Sequence, residues 1–168
     1  IFSAPTPEHS PDLAAVAGKI LDTKSSAPER DALIAANAGQ SAQLITELVL
    51  QIKVGTPDEY RGIPSIWKVA ITAAKRNQDS ELKEILSVSL PALAEPLQDW
   101  QAVVVGGGII NGLSLEGIWP RERIEKLLQN DAELKSRWLR SIQLASVMAD
   151  DEKVRAGTRY DALRMLGV

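Results

Sequence analysis

Residues 99–119, DWQAVVVGGGIINGLSLEGIW, decide how this chain folds. They are its most apolar run, and they hold Gly106, Gly107, Gly108 and Gly112 close together. In one reading Val103, Val104 and Val105 end a buried strand, and the glycines turn around a phosphate as in a dinucleotide-binding fold. The chain would then be a small enzyme or a dinucleotide or flavin binder, with Gly106, Gly108 and Gly112 against the cofactor. In the other, residues 98–113 form a buried helix whose glycines admit neighbouring helices.

The spacing favours the helix. A G-x-G-x-x-G fingerprint counted from Gly106 finds Gly108 in place but Asn111 where the third glycine belongs; Gly112 comes one residue late. Pro120 would stop a crossover helix after about ten residues, and no second strand follows. Read as a helix, the run is apolar all round, with Trp100, Val103 and Val104 on one side and Val105, Ile109 and Leu113 on another. A helix of that kind belongs at the centre of a core. Each interior glycine costs about 1 kcal/mol relative to alanine, so the sequence predicts close helix crossings that offset it.

The flanking sequence reads as further helices. Residues 1–9, with Pro5 and Pro7, are expected to be a flexible leader, and residues 10–168 a single helical domain. Ser10 and Pro11 are read as opening the first helix. Ser26 and Glu29 have capping-box spacing, and a third helix over 41–53 carries Leu44, Ile45, Leu48, Val49 and Ile52 on one stripe. Thr56 and Glu59 repeat the capping-box spacing, but Gly62 and Pro64 predict only a single turn before a new helix starts at Ser65. Asp79 is read as the next cap, and residues 91–96 as a loop between prolines. Helical patterns return at 120–129, 131–149 and 158–166. Strand signals are nearly missing: there is no Asn-Gly or Asp-Gly turn, and aromatics make up 4% of residues. The expectation is an all-α fold: an α-α superhelix, a HEAT-like stack of antiparallel helical hairpins with degenerate repeats.

Composition narrows the chemistry. Hydrophobic residues are 45% and charged residues 24%, which is ordinary globular usage and predicts no membrane span. A net charge of −3 leaves no basic footprint for nucleic acid. With no cysteine and one histidine, His9 in the leader, a thiolate nucleophile or a multi-histidine metal site has no residues to build on. No catalytic, cofactor or metal residue is assigned. The chain begins at Ile1 and is expected to be a piece of something longer.

Four tryptophans remain. Trp67, Trp100 and Trp138 fall on apolar stripes and read as core, whereas Trp119 lies in the loop SLEGIWPR, beside Leu115, Ile118, Arg121 and Arg123. Those five residues are the candidate partner-docking patch. A carbohydrate site would instead require two tryptophans in one open groove.

Three segments, TPDEYRGIPSIWKVAITAAKRNQ (56–78), EPLQDWQAVVVGGGIINGLS (95–114) and MADDEKVRAGTRYDALRMLGV (148–168), carry a resemblance. They resemble the HEAT-like helical segment of planctomycete-type exported proteins of the membrane-bound dehydrogenase and c-type cytochrome kind. In those proteins a sugar-dehydrogenase-like β-propeller precedes the helices and a haem domain follows. The resemblance implies a non-enzymatic helical scaffold or protein-interaction module in the periplasm, part of a larger multidomain redox protein, whose partners are other domains of the same polypeptide or a protein. It carries over no site residue, because this chain has no C-x-x-C-H and no propeller.

Overall fold

A computed structural model describes residues 12–91 and 98–168. Among them the chain is all-α: α1 (Leu13–Leu21), α2 (Ala27–Ala36), α3 (Ser41–Gln51), α4 (Pro57–Arg76), α5 (Asp79–Ser89), α6 (Asp99–Leu115), α7 (Pro120–Leu128), α8 (Ala132–Asp150) and α9 (Ala156–Leu166). The expected leader, the Ser10–Pro11 start and most of the 91–96 loop lie outside the described residues.

Caps set most of the starts. Asp12 accepts from the Ala15 N–H and opens α1; Asp131 does the same for α8 through Leu134. Ser26 and Glu29 form the expected capping box, and the bond from the Ser26 N–H holds the Glu29 carboxyl below its usual range. Two expected caps fail. The Thr56 hydroxyl donates to Lys53 and Glu59 accepts from the Gly55 N–H, so no box closes there. Asp79 is the first residue of α5 rather than its cap, because its carboxylate turns to Arg123.

The larger correction is α4. It runs unbroken for 20 residues through Gly62 and Pro64. Packing overrides the local breakers: Gly62 seats the Ile52 side chain where a Cβ would stand, and Ile66, Val69, Ala70, Ala73 and Ala74 beyond it are fully or almost fully buried. Pro64 has no N–H, so the Tyr60 carbonyl loses its usual donor, and the helix tolerates that loss at its edge.

α6 is the central element. Every residue from Gln101 to Ile110 is buried, and so are Gly112 and Leu113. Its most extensive partner is α4, followed by α9; alternate helices also pair, α1 with α3, α3 with α5 and α6 with α8. The glycines explain the closeness. A Cβ at Gly108 would lie 2.8 Å from the Ala70 Cβ, and one at Gly112 2.6 Å from the Ala74 Cβ and 2.7 Å from the Ile71 carbonyl oxygen. On the opposite side a Cβ at Gly107 would lie 2.5 Å from that of Asp161 in α9. The strand-and-turn alternative for Gly106, Gly108 and Gly112 therefore does not hold: all three are mid-helix, with their faces filled by α4 and α9. A single buried cluster joins all these helices.

Candidate functional site

Two surfaces remain once the core is closed. The first is the α6–α7 turn, where the sequence places its docking candidates. α6 ends in a left-handed turn at Gly117, with φ +71°, which a side chain would strain. The Gly117 N–H donates to Ser114 and the Ile118 N–H to Leu113, the paired bonds of a Schellman stop. That geometry folds Ile118 back, half-buried, onto the core. The next residue leaves in extended conformation, and Pro120 opens α7. Trp119 is thereby turned outward and is 77% exposed, with Leu115 at 62% on the same turn. Charged pairs border it: Lys75 with Glu116 at 3.6 Å, and Arg121 with Glu125 at 3.3 Å.

Arg123 is placed differently from the rest of the sequence-derived patch. Its side chain is 10% exposed, and its guanidinium is committed to the α4–α5 turn, donating to the Asn77 side chain at 2.6 Å, to the Asn77 carbonyl at 3.3 Å and to Asp79. The bond and charge of Arg123 hold the Asp79 carboxyl below its ordinary range. Arg123 clamps α7 to α4 and α5, and the patch comprises Leu115, Trp119 and Arg121, with Ile118 beneath.

The second surface could not be read from local sequence. An open groove of about 430 Å³ runs between α4 and α9, with Tyr60, Ile63, Pro64 and Trp67 on one wall and Arg155, Thr158, Tyr160 and Asp161 among those on the other. Trp67 is half-buried rather than core, and its indole N–H donates to Asp161 at 3.0 Å. Arg164 donates to the same oxygen at 2.8 Å. Burial raises the Asp161 carboxyl to about 6, against the opposing pull of Arg164 and Trp67. The only sequence signal for this cluster is a tryptophan on the edge of an apolar stripe.

The other tryptophans are split. Trp138 is buried, and Trp100 is half-buried with an indole nitrogen that has no partner. No described groove holds two tryptophans, so the carbohydrate reading lacks its platform. Among the described residues no three His, Asp or Glu side chains gather as a metal site requires. None of the described helices is long and apolar enough to cross a membrane. Comparison of the chain with protein-family models, curated proteins and solved structures finds no match.

Proposed function

We propose that this chain is a non-enzymatic helical scaffold that docks a protein partner through the Leu115–Trp119 turn. The observation that carries the reading is the outward position of Trp119, fixed by a Schellman stop on one side and Pro120 on the other. A rigidly mounted tryptophan beside an exposed leucine is the kind of anchor that dominates protein interfaces. Charged pairs around it supply a polar rim. The pairing of alternate helices supports a HEAT-like superhelix, in which stacked helices present a continuous surface. In keeping with the sequence resemblance, the partner is another domain of a larger exported redox protein, or a protein that visits it in the periplasm.

The test replaces Trp119 with the photo-crosslinking residue p-benzoylphenylalanine, and Lys24 on a distant surface as control, in the cells that naturally make the protein. The reading expects one discrete adduct from position 119. Excess wild-type chain competes it away, and excess Trp119→Ala chain does not. Equal adducts at both positions, or none at 119, contradict it. The Trp119→Ala chain is a fair competitor because so exposed a side chain contributes less than about 0.5 kcal/mol to stability.

A further inference from the structure

The α4–α9 groove carries two groups that the fold leaves incompletely used. One is Arg155. Its guanidinium lies flat over the Tyr60 ring, 3.2 Å from the ring centroid, and no carboxylate pairs with it among the described residues. Stacking fixes the plane of the guanidinium and leaves its N–H edge free. Arg155 also stands at the start of α9, which has no side-chain cap, so the first-turn N–H groups face the same space. That space is open: nothing lies within 4 Å of where a Cβ on Gly157 would stand.

The other group is Asp161, 4% exposed on the groove floor. Its Oδ1 takes both available donors, Trp67 at 3.0 Å and Arg164 at 2.8 Å, and its Oδ2 has none among the described residues. A buried carboxylate oxygen without a donor marks a place where an occupant's N–H would fit. With Arg155 and Arg164 against one carboxylate, the groove has an excess of positive charge, and its walls offer the rings of Tyr60, Trp67 and Tyr160. It is open along its length, so a chain can pass through rather than only end in it.

We propose that this groove binds an extended acidic segment of a partner protein. A Glu or Asp side chain of the segment is forked by Arg155 at the start of α9, and a backbone N–H of the segment donates to Asp161 Oδ2. Six residues of α9 separate the two anchor positions, about 9 Å along the helix axis. An extended chain covers that distance in about three residues, which sets the spacing between the acidic side chain and the donated N–H. Apolar side chains flanking the acid lie on Ile63, Pro64 and the rings. This surface is separate from the Trp119 turn, and either can fail without the other.

The experiment titrates the ¹⁵N-labelled chain with the capped peptide acetyl-Ala-Leu-Glu-Leu-Ala-amide and follows the indole N–H of Trp67, the amides of Gly157 and Thr158, and the indole N–H of Trp119 as a remote reference. The proposal expects saturable shifts at the first three and none at Trp119. Binding weakens about tenfold, in line with loss of a charge-assisted hydrogen bond, when the peptide's Glu is Gln or the chain carries Arg155→Gln. Arg155 is exposed, so its replacement leaves the fold intact. Equal shifts from the Glu and Gln peptides, unchanged binding by Arg155→Gln, or no shift at millimolar peptide would overturn it. Binding of the Gln peptide restored by a free C-terminal carboxylate would overturn the side-chain assignment in favour of capture of a chain end.

Discussion

Replacing Gly112 with alanine should destabilise the protein, although on an exposed helix the same change stabilises by about 1 kcal/mol. A Cβ at 112 would stand 2.6 Å from the Ala74 Cβ and 2.7 Å from the Ile71 carbonyl oxygen. Carbon contacts are at ease at about 3.5–4 Å, so the new methyl group is close by nearly an ångström. Neither neighbour can rotate away, since one is a Cβ and the other is helical backbone. α4 and α6 must separate, which loosens their whole interface. Overpacking of this kind costs about 1–3 kcal/mol; with unyielding neighbours the upper end applies, and the helical gain offsets part of it, leaving a loss of about 2 kcal/mol. Two companions calibrate the result. Gly106→Ala meets the Met165 thioether at 2.7 Å, which can swing aside, and should be close to neutral; Gly157→Ala meets nothing within 4 Å and should stabilise slightly. Urea unfolding followed by far-UV circular dichroism reads all three. With a slope of about 2 kcal/mol per molar, the Gly112→Ala midpoint falls by about 1 M. A Gly112→Ala midpoint at or above wild type would refute the close-crossing account, as would a Gly106→Ala loss as large as that of Gly112→Ala.

Two further predictions concern buried carboxylates. The Asp161 carboxyl titrates near about 6 in the fold against 3.8 as the ordinary value, so the folded state binds its proton more tightly and Asp161 favours folding more as pH falls from 7 to 4. At about 1.4 kcal/mol per pH unit, wild type should gain about 3 kcal/mol on Asp161→Asn across that range, measured by urea unfolding at each pH; a constant difference would remove the assigned cause. Glu81, 5% exposed, accepts from the Gly39 N–H at 2.9 Å and the Ser41 hydroxyl at 2.6 Å, and pairs with Arg76 at 3.2 Å. Glu81→Ala should cost about 2 kcal/mol in thermal unfolding by stranding those donors, with Glu81→Gln costing less because an acceptor remains; equal losses would point to packing instead.

The helices were readable where their information is local. The Ser26 box, the α3 stripe and the all-round apolarity of residues 101–110 each follow from side chains within a few turns of one another. α4 was misread because Gly62 and Pro64 are local breakers, while the contacts that carry the helix across them come from Ile52 and from α6, far along the chain. The patch at Trp119 was legible because an apolar loop between two helices stands out by itself. Arg123 was misassigned to it because its partners, Asn77 and Asp79, are 46 and 44 residues away. The α4–α9 groove was invisible for the same reason: Trp67 and Asp161 are 94 residues apart, and nothing around either one announces the other.

Whether residues 106–112 are a packing device or a binding loop separates a scaffold from a cofactor-binding enzyme, and amide hydrogen exchange decides it directly. If α6 is the buried centre of the fold, the amides of Gly106, Gly107, Gly108 and Gly112 exchange only by global unfolding, with an opening free energy equal to that from urea and matching the Leu82 and Ile85 amides of α5. Exchange of the glycine amides in minutes, while those of α5 stay protected, would mean that they form an exposed turn and that the helix at the centre of this account is wrong.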